Sequence, residues 1–317
     1  MKFMQILYPG LGGTSTVAFA IVNSQKKTSL KIKNYFIFYG NEKLTKNNSD
    51  ICDKNKIDFT FFLKRKFISD NLKIYKKIKS LQPDIILSHS NSLLALIIYK
   101  IFEKKKFYCV DHTPNKSKTI KNWINLFLFS IFSSGIVSVS KINKNDLIYK
   151  FYKFFNIKYR VIRNGINTDR FKRKKNILSK KKIRLGMAAR FVNDKKQSLI
   201  IDTIFKNRNF FEKNNFLLTL AGSGYTQNIL KKKVHQYRFN HLIKFEGNLD
   251  EKQLIKWFEN IDIYFHLSIA ETTSTVILQA LSMSNPIFAS KIEGNVQLKD
   301  FTRGKNLFLI NNDHLSI

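Results

Sequence analysis

Short apolar runs alternate with amphipathic stretches along most of this 317-residue chain, and that alternation narrows the fold more than any other feature. Residues 4–8, 35–39, 59–63, 84–88, 107–110 and 135–139 have the length and the β-branched and aromatic content of buried strands. Helical spacing separates several of them, most clearly over 72–81 and 93–102. Strand and helix in alternation predict a parallel, doubly wound α/β sheet that binds ligands beyond the carboxyl ends of its strands. At about 100–200 residues per domain, the length predicts two such domains. Asn164-Gly165 supplies a turn and a new strand pattern opens at 183–188, which sets the domains at 1–165 and 166–317.

Only four prolines and twelve glycines punctuate the chain, so no flexible linker or low-complexity tract interrupts it. Cys52 and Cys109 lie far apart and form no CxxC or Cys/His metal pattern, which fits a reduced, cytoplasmic protein. Net charge is +34, with 56 Lys and Arg against 22 Asp and Glu. Up to Ile166 the balance is 30 against 9, and after it 26 against 13, so the charge is spread and is not a basic tail. No nucleic-acid-binding motif organises it, and attraction to an anionic phospholipid surface is the partner it suggests. The opening MKFMQILYPGLGG reaches glycine before a secretory core develops. Residues 123–139 are too interrupted by Asn, Ser and Gly to span a bilayer. They read as a buried helix followed by a strand, or as a helix lying on a membrane surface.

The densest run of candidate chemistry is HLSIAETTSTVILQALSMSNPIFAS, residues 266–290. An apolar strand ends near His266, several Thr and Ser side chains offer an N-cap, and helical spacing follows until Asn285-Pro286. Glu271 precedes this helix and Gln279 lies about 7 Å along it, at 1.5 Å per residue. Free N–H groups between them, at Ser274 and Thr275, suit a phosphate. By spacing alone, Glu271 is a solvated loop carboxylate and Gln279 an exposed helical residue. A second glycine-bearing turn, PGLGGTSTVAFAIV, places Gly12 and Gly13 between the first strand and a helix from about Thr14. Glycine there permits a tight turn and close backbone approach, although the pattern is not G-x-G-x-x-G.

The 266–290 stretch resembles the signature of glycosyltransferase family 4, retaining enzymes of the GT-B fold in which two glutamates separated by seven residues hold a nucleotide sugar. Glu271 matches the first glutamate, and Gln279 stands in the place of the second. Other segments resemble the same family in order. The glycine turn after the first strand carries Gly12 and Gly13, and FYCVDHTPN carries His112, matching a histidine that approaches the donor sugar. ILSHSNSLLAL contains His89, read as structural. YRVIRNGINTDRF resembles the interdomain segment, and AARFVNDKKQSLIIDTI carries Arg190 and Lys195, matching an arginine and lysine that clamp the diphosphate. LLTLAGSG and IKFEGN match further strand ends; in KIEGNVQL, Gly294 is kept while Glu293 and Gln297 depart from the usual glycine and glutamate.

The resemblance implies two Rossmann-like domains facing a cleft, and transfer of a sugar from a nucleoside-diphosphate sugar to a glycan or lipid-linked acceptor. Cell-surface polysaccharide or lipopolysaccharide synthesis is the implied setting, on the inner face of the cytoplasmic membrane. Glu271 and His112 act on the sugar; Gly12, Gly13, Arg190, Lys195, Ser274, Thr275 and Gln279 bind substrate. No cofactor and no metal are expected, because fixed cations and N–H dipoles would carry the leaving charge. Family members usually continue with further helices, so the chain reads as a shortened form or a fragment. An epimerase-like GT-B enzyme is the alternative, and a basic nucleic-acid-binding protein a more distant one.

Overall fold

The computed structural model describes residues 1–10, 12–89, 93–141, 146–173 and 182–316. The chain forms two compact units, Met1–Ile166 and Asn167–Ile317.

In the first unit, strands β1 (Lys2–Leu7), β2 (Lys33–Gly40), β3 (Asp58–Leu63), β4 (Ile85–Ser88), β5 (Phe107–Asp111), β6 (Ile136–Ser138) and β7 (Tyr159–Val161) form one parallel sheet. Their order is 3-2-1-4-5-6-7. Helices α1 (Gly13–Gln25), α2 (Lys46–Lys54), α3 (Phe67–Leu81), α4 (Leu93–Glu103), α5 (Ile120–Phe132) and α6 (Leu147–Phe154) connect the strands. Side chains alternate between the two faces of a strand, and the core divides accordingly. Met4, Ile6, Tyr35 and Ile37 pack with Ile74, Leu96, Leu126 and Tyr152. Leu7, Phe36 and Phe38 pack on the opposite side with Phe19, Val22 and Cys52. Both faces are therefore covered, which is the doubly wound arrangement.

The second unit repeats the plan with β8 (Ile183–Ala188), β9 (Phe216–Ala221), β10 (Ile243–Gly247), β11 (Ile263–His266), β12 (Ile287–Ser290) and β13 (Leu307–Ile310), in the order 10-9-8-11-12-13. Its helices are α7 (Gln197–Lys206), α8 (Arg208–Lys213), α9 (Gln227–Gln236), α10 (Glu251–Asn260), α11 (Thr275–Ser282) and α12 (Glu293–Thr302). Each sheet has a switch point where the strand order reverses, at β1/β4 in the first unit and β8/β11 in the second.

One expectation needs correction. Residues 123–139 do form a helix and a strand, but α5 is not buried: Leu126 and Phe129 face the core while Ile120, Ile124 and Ile131 are exposed. Among the described residues, no helix is long and apolar enough to cross a membrane. At the first turn, Gly12 has extended backbone and open space around its missing side chain.

Candidate functional site

Beyond β8 the chain passes through Arg190 into a short 3-10 turn, Asn193–Lys195, before α7 begins. Beyond β11 it runs through Glu271 to α11, where Ser274 is the N-cap, its hydroxyl accepting from the Ile277 N–H at 3.4 Å. These two segments flank the switch point, where an open α/β sheet leaves a crevice. A backbone hydrogen bond, Ile269 N–H to Asp194 C=O at 3.0 Å, ties them together.

That tie brings Lys195 to Glu271. The ammonium is paired with carboxylate Oε1, and the two side chains are only 15% and 14% exposed. His266 Nε2 lies 2.7 Å from the same oxygen. The imidazole is buried; its Nδ1 lies 3.1 Å from the Tyr264 hydroxyl, which also reaches the Ala188 carbonyl at 3.2 Å. Ser274 Oγ lies 3.4 Å from His266 Nε2, drawing the helix N-cap into the cluster. Burial opposes the charged form of Glu271, but the hydrogen bond and charge of His266, joined by Lys195, outweigh it and hold the carboxyl at about 2. Glu271 is thus a fixed carboxylate, and Oε2 takes no part in either contact.

The supporting frame is equally specific. Ser268 N–H donates to Ser290 Oγ at 2.8 Å, Ser290 donates to Asn312, and Asn312 Nδ2 donates to Ser268 C=O at 3.0 Å. This ring locks the segment after β11 to the ends of β12 and β13. A Cβ on Gly294 would lie 2.2 Å from the Glu271 carbonyl oxygen, so only glycine lets α12 start against that backbone.

The spacing-based expectation for Glu271 and Gln279 is overturned. Glu271 is enclosed as described, and Gln279 is 4% exposed, on the inner side of α11. α11 packs beside β12, and Asn285 just after it donates to the Phe258 and Ile261 carbonyls at 3.2 and 3.1 Å, contacts that a helical pattern alone does not reveal. Thr275 is buried beside the cap, and Arg190 is exposed, its backbone carbonyl accepting from the Gln197 side chain at 2.9 Å. Sequence reasoning missed His266 and Tyr264. Their one signal was a polar group ending an apolar strand.

In the first unit, Gly12 and Gly13 follow β1, His89 follows β4 and His112 follows β5. His89 Nδ1 lies 2.8 Å from His112 Nε2, and its Nε2 lies 2.9 Å from Gln5 Oε1. Burial pushes both histidines down, His112 to about 4. They border a cavity of about 110 Å³ shared with Ser88, Asp111, Lys118 and Asn122. Lys118 is saturated there, by Asp111 at 3.0 Å, Asn115 at 3.0 Å and the Thr113 carbonyl at 2.5 Å.

Two family models meet along this chain. The one described as Glycosyltransferase Family 4 matches residues 12–170, and the one described as Glycosyl transferases group 1 matches 168–312. The chain belongs to glycosyltransferase family 4. Among similar proteins, the uncharacterized glycosyltransferase MJ1607 of Methanocaldococcus jannaschii is 24% identical over 185 residues, covering 54% of this chain and 46% of its own. Protein CapJ of Staphylococcus aureus is 27% identical over 162 residues, covering 48% and 40%. The chain thus matches less than half the length of these curated relatives. The crystal structure of Anabaena Alr3699/HepE in complex with UDP-glucose has a TM-score of 0.75 at 16% identity, over 98% of this chain and 85% of that one. At that identity the likeness speaks for the fold, which in this family 4 chain is GT-B.

Proposed function

We propose that this chain is a retaining glycosyltransferase that moves a sugar from a nucleoside-diphosphate sugar to a glycan or lipid-linked acceptor. The observation that carries this reading is the Lys195–Glu271–His266 cluster at the β8/β11 switch point, beside the N-terminus of α11. Breaking the anomeric C–O bond leaves extra negative charge on the diphosphate, and charges fixed in advance stabilise it without reorganising. Lys195 and Arg190 supply cations, and the N–H groups at Ser274 and Thr275 supply dipoles. In this reading they do so without a divalent cation. Glu271 holds sugar hydroxyls through Oε2, and the Gln279 amide serves the ribose as both donor and acceptor; in the first unit, His112 takes the sugar-facing role that its match to the family segment implies. The turn at Gly12 and Gly13 leaves room for substrate. The departing phosphate takes the acceptor proton on the face of attack, so no second carboxylate is needed.

A lipid-linked acceptor in cell-surface polysaccharide or lipopolysaccharide synthesis is supported by the outer surface of the first unit. Ile120, Ile124 and Ile131 recur on one exposed face of α5, and Leu147, Phe154 and Phe155 are exposed on and just after α6. Phe127 joins the two groups through ring contacts with Phe151 and Phe155. With Lys121, Lys150 and Lys153 nearby in sequence, this surface suits an anionic leaflet. The test is release of nucleoside diphosphate from a panel of nucleotide sugars, with and without a lipid extract as acceptor source. Turnover of at least one donor, stimulated by the extract, is expected; a panel with no turnover contradicts the reading.

A further inference from the structure

We propose that Gln5 and His89 are positioning residues that set the tautomer of His112, so that His112 presents an unprotonated Nδ1. The tautomer follows from hydrogen-bond direction alone; its use in catalysis rests on the proposed function above.

The argument starts in the core. Gln5 is a fully buried amide in the otherwise apolar β1, and such a group needs partners. Its Nε2 lies 3.2 Å from the Ala18 carbonyl in α1, and a carbonyl can only accept. The amide orientation is thereby decided, with Oε1 facing His89 Nε2 at 2.9 Å. An amide oxygen also only accepts, so the proton sits on His89 Nε2. The neutral ring then has a bare Nδ1, 2.8 Å from His112 Nε2. His112 must donate there. Its single proton is placed on Nε2, and Nδ1 is left with a lone pair.

The alternative is a doubly protonated His89 donating to His112. His89 is 8% exposed, and burial with a neighbouring imidazole holds it well below its ordinary range. The nearby carboxylate of Asp111 is held by Lys118 and does not offset that cost. A neutral pair with both protons on Nε2 is the arrangement that satisfies the directions of the Gln5–His89 and His89–His112 contacts at neutral pH.

Two consequences follow. A sugar hydroxyl that meets His112 Nδ1 donates to it and does not accept from it. The line from Ala18 through Gln5 and His89 also couples α1, and so the glycine turn before it, to His112. His89, read from sequence as structural, acquires a role in orienting a functional side chain.

The test is tautomer-sensitive ¹⁵N spectroscopy of the histidine-labelled full chain at neutral pH, with His112 assigned from His112→Gln. Wild type should show His112 as the Nε2–H form. In folded His89→Leu that pattern should shift to a mixture of tautomers, with donor turnover falling about tenfold or more. His89→Gln, which keeps one donor and one acceptor, should restore most of both. Gln5→Met, one step removed, serves if His89→Leu does not fold. An Nδ1–H form in wild type, or an unchanged His112 pattern in the folded relay variants, overturns the proposal. A tautomer that shifts as expected with no effect on turnover supports the relay and contradicts the catalytic reading of His112.

Discussion

Lys195 and Glu271 lie 76 residues apart in the chain and are joined as an enclosed ion pair across the β8/β11 switch point. Each is the other's counter-charge before any substrate arrives. A diphosphate entering the site would compete with Glu271 for the ammonium, and the carboxylate would repel it.

Glu271→Gln should therefore separate binding from turnover. Removing the carboxylate releases Lys195 and lowers repulsion, so nucleoside diphosphate should bind as tightly as in wild type or more so. Sugar transfer should fall by about 100-fold or more, because the lost charge acts beside the reacting sugar. Calorimetry and initial rates on the same preparation would check this. Wild-type turnover in the variant would remove Glu271 from the chemistry.

Gln279→Glu restores the glutamate usual at this position, but places a carboxylate in a site only 4% exposed. Without ligand it should cost about 1–3 kcal/mol of stability. If the new carboxylate meets a ribose hydroxyl, donor should recover that loss and bind more tightly than to wild type. Thermal melts with and without nucleotide sugar measure both effects. A variant as stable as wild type would mean that the group escapes to solvent.

The paired histidines predict an acid-sensitive first unit. Burial lowers His112 from 6.5 to about 4, and His89 moves the same way. The unfolded chain then binds more protons than the fold between these values, so stability rises with pH through that window. It is fully present above about 6.5 and is lost as pH falls towards 4, by about 1–3 kcal/mol for His112. Urea unfolding at pH 7.5 and 5 should show the drop, and a His89→Gln, His112→Gln double variant should show a smaller one. Equal drops would assign the acid sensitivity to other groups.

Much of this architecture was legible in the chain. Apolar runs of strand length, separated by helical spacing, imply parallel sheets because only crossover connections fit between them. The strand ends carrying Arg190, Glu271 and His112 were legible for the same reason. What the pattern did not contain was contact across strand order. His89 and His112 meet because β4 and β5 are neighbours, and Gln5 joins them from β1 on the other side of β4. His266 gave no spacing signal, because a lone histidine at a strand end looks the same whether or not a carboxylate lies above it. The burial of Gln279 depends on packing around α11, which helical periodicity within eight residues does not resolve.

The exposed face of α5 and α6 should make membrane binding dependent on both charge and apolar contact. Co-sedimentation with vesicles containing phosphatidylglycerol should exceed that with neutral vesicles and weaken with added salt. Replacing Ile124 and Ile131 together by Ser should reduce it further without altering nucleotide binding. Equal binding to neutral vesicles would contradict the electrostatic part, and an unchanged double variant the apolar part.

The most direct test of the donor site is calorimetric titration of wild type and Lys195→Ala with a panel of nucleoside diphosphates. Loss of a charge-assisted hydrogen bond is worth about 1.5–3 kcal/mol, or roughly 10- to 150-fold in affinity. The predicted result is one saturable site for at least one nucleoside diphosphate in wild type, weakened about tenfold or more in the variant. No saturable binding across the panel, or equal affinity in the two proteins, would contradict a donor site built on Lys195 and Glu271.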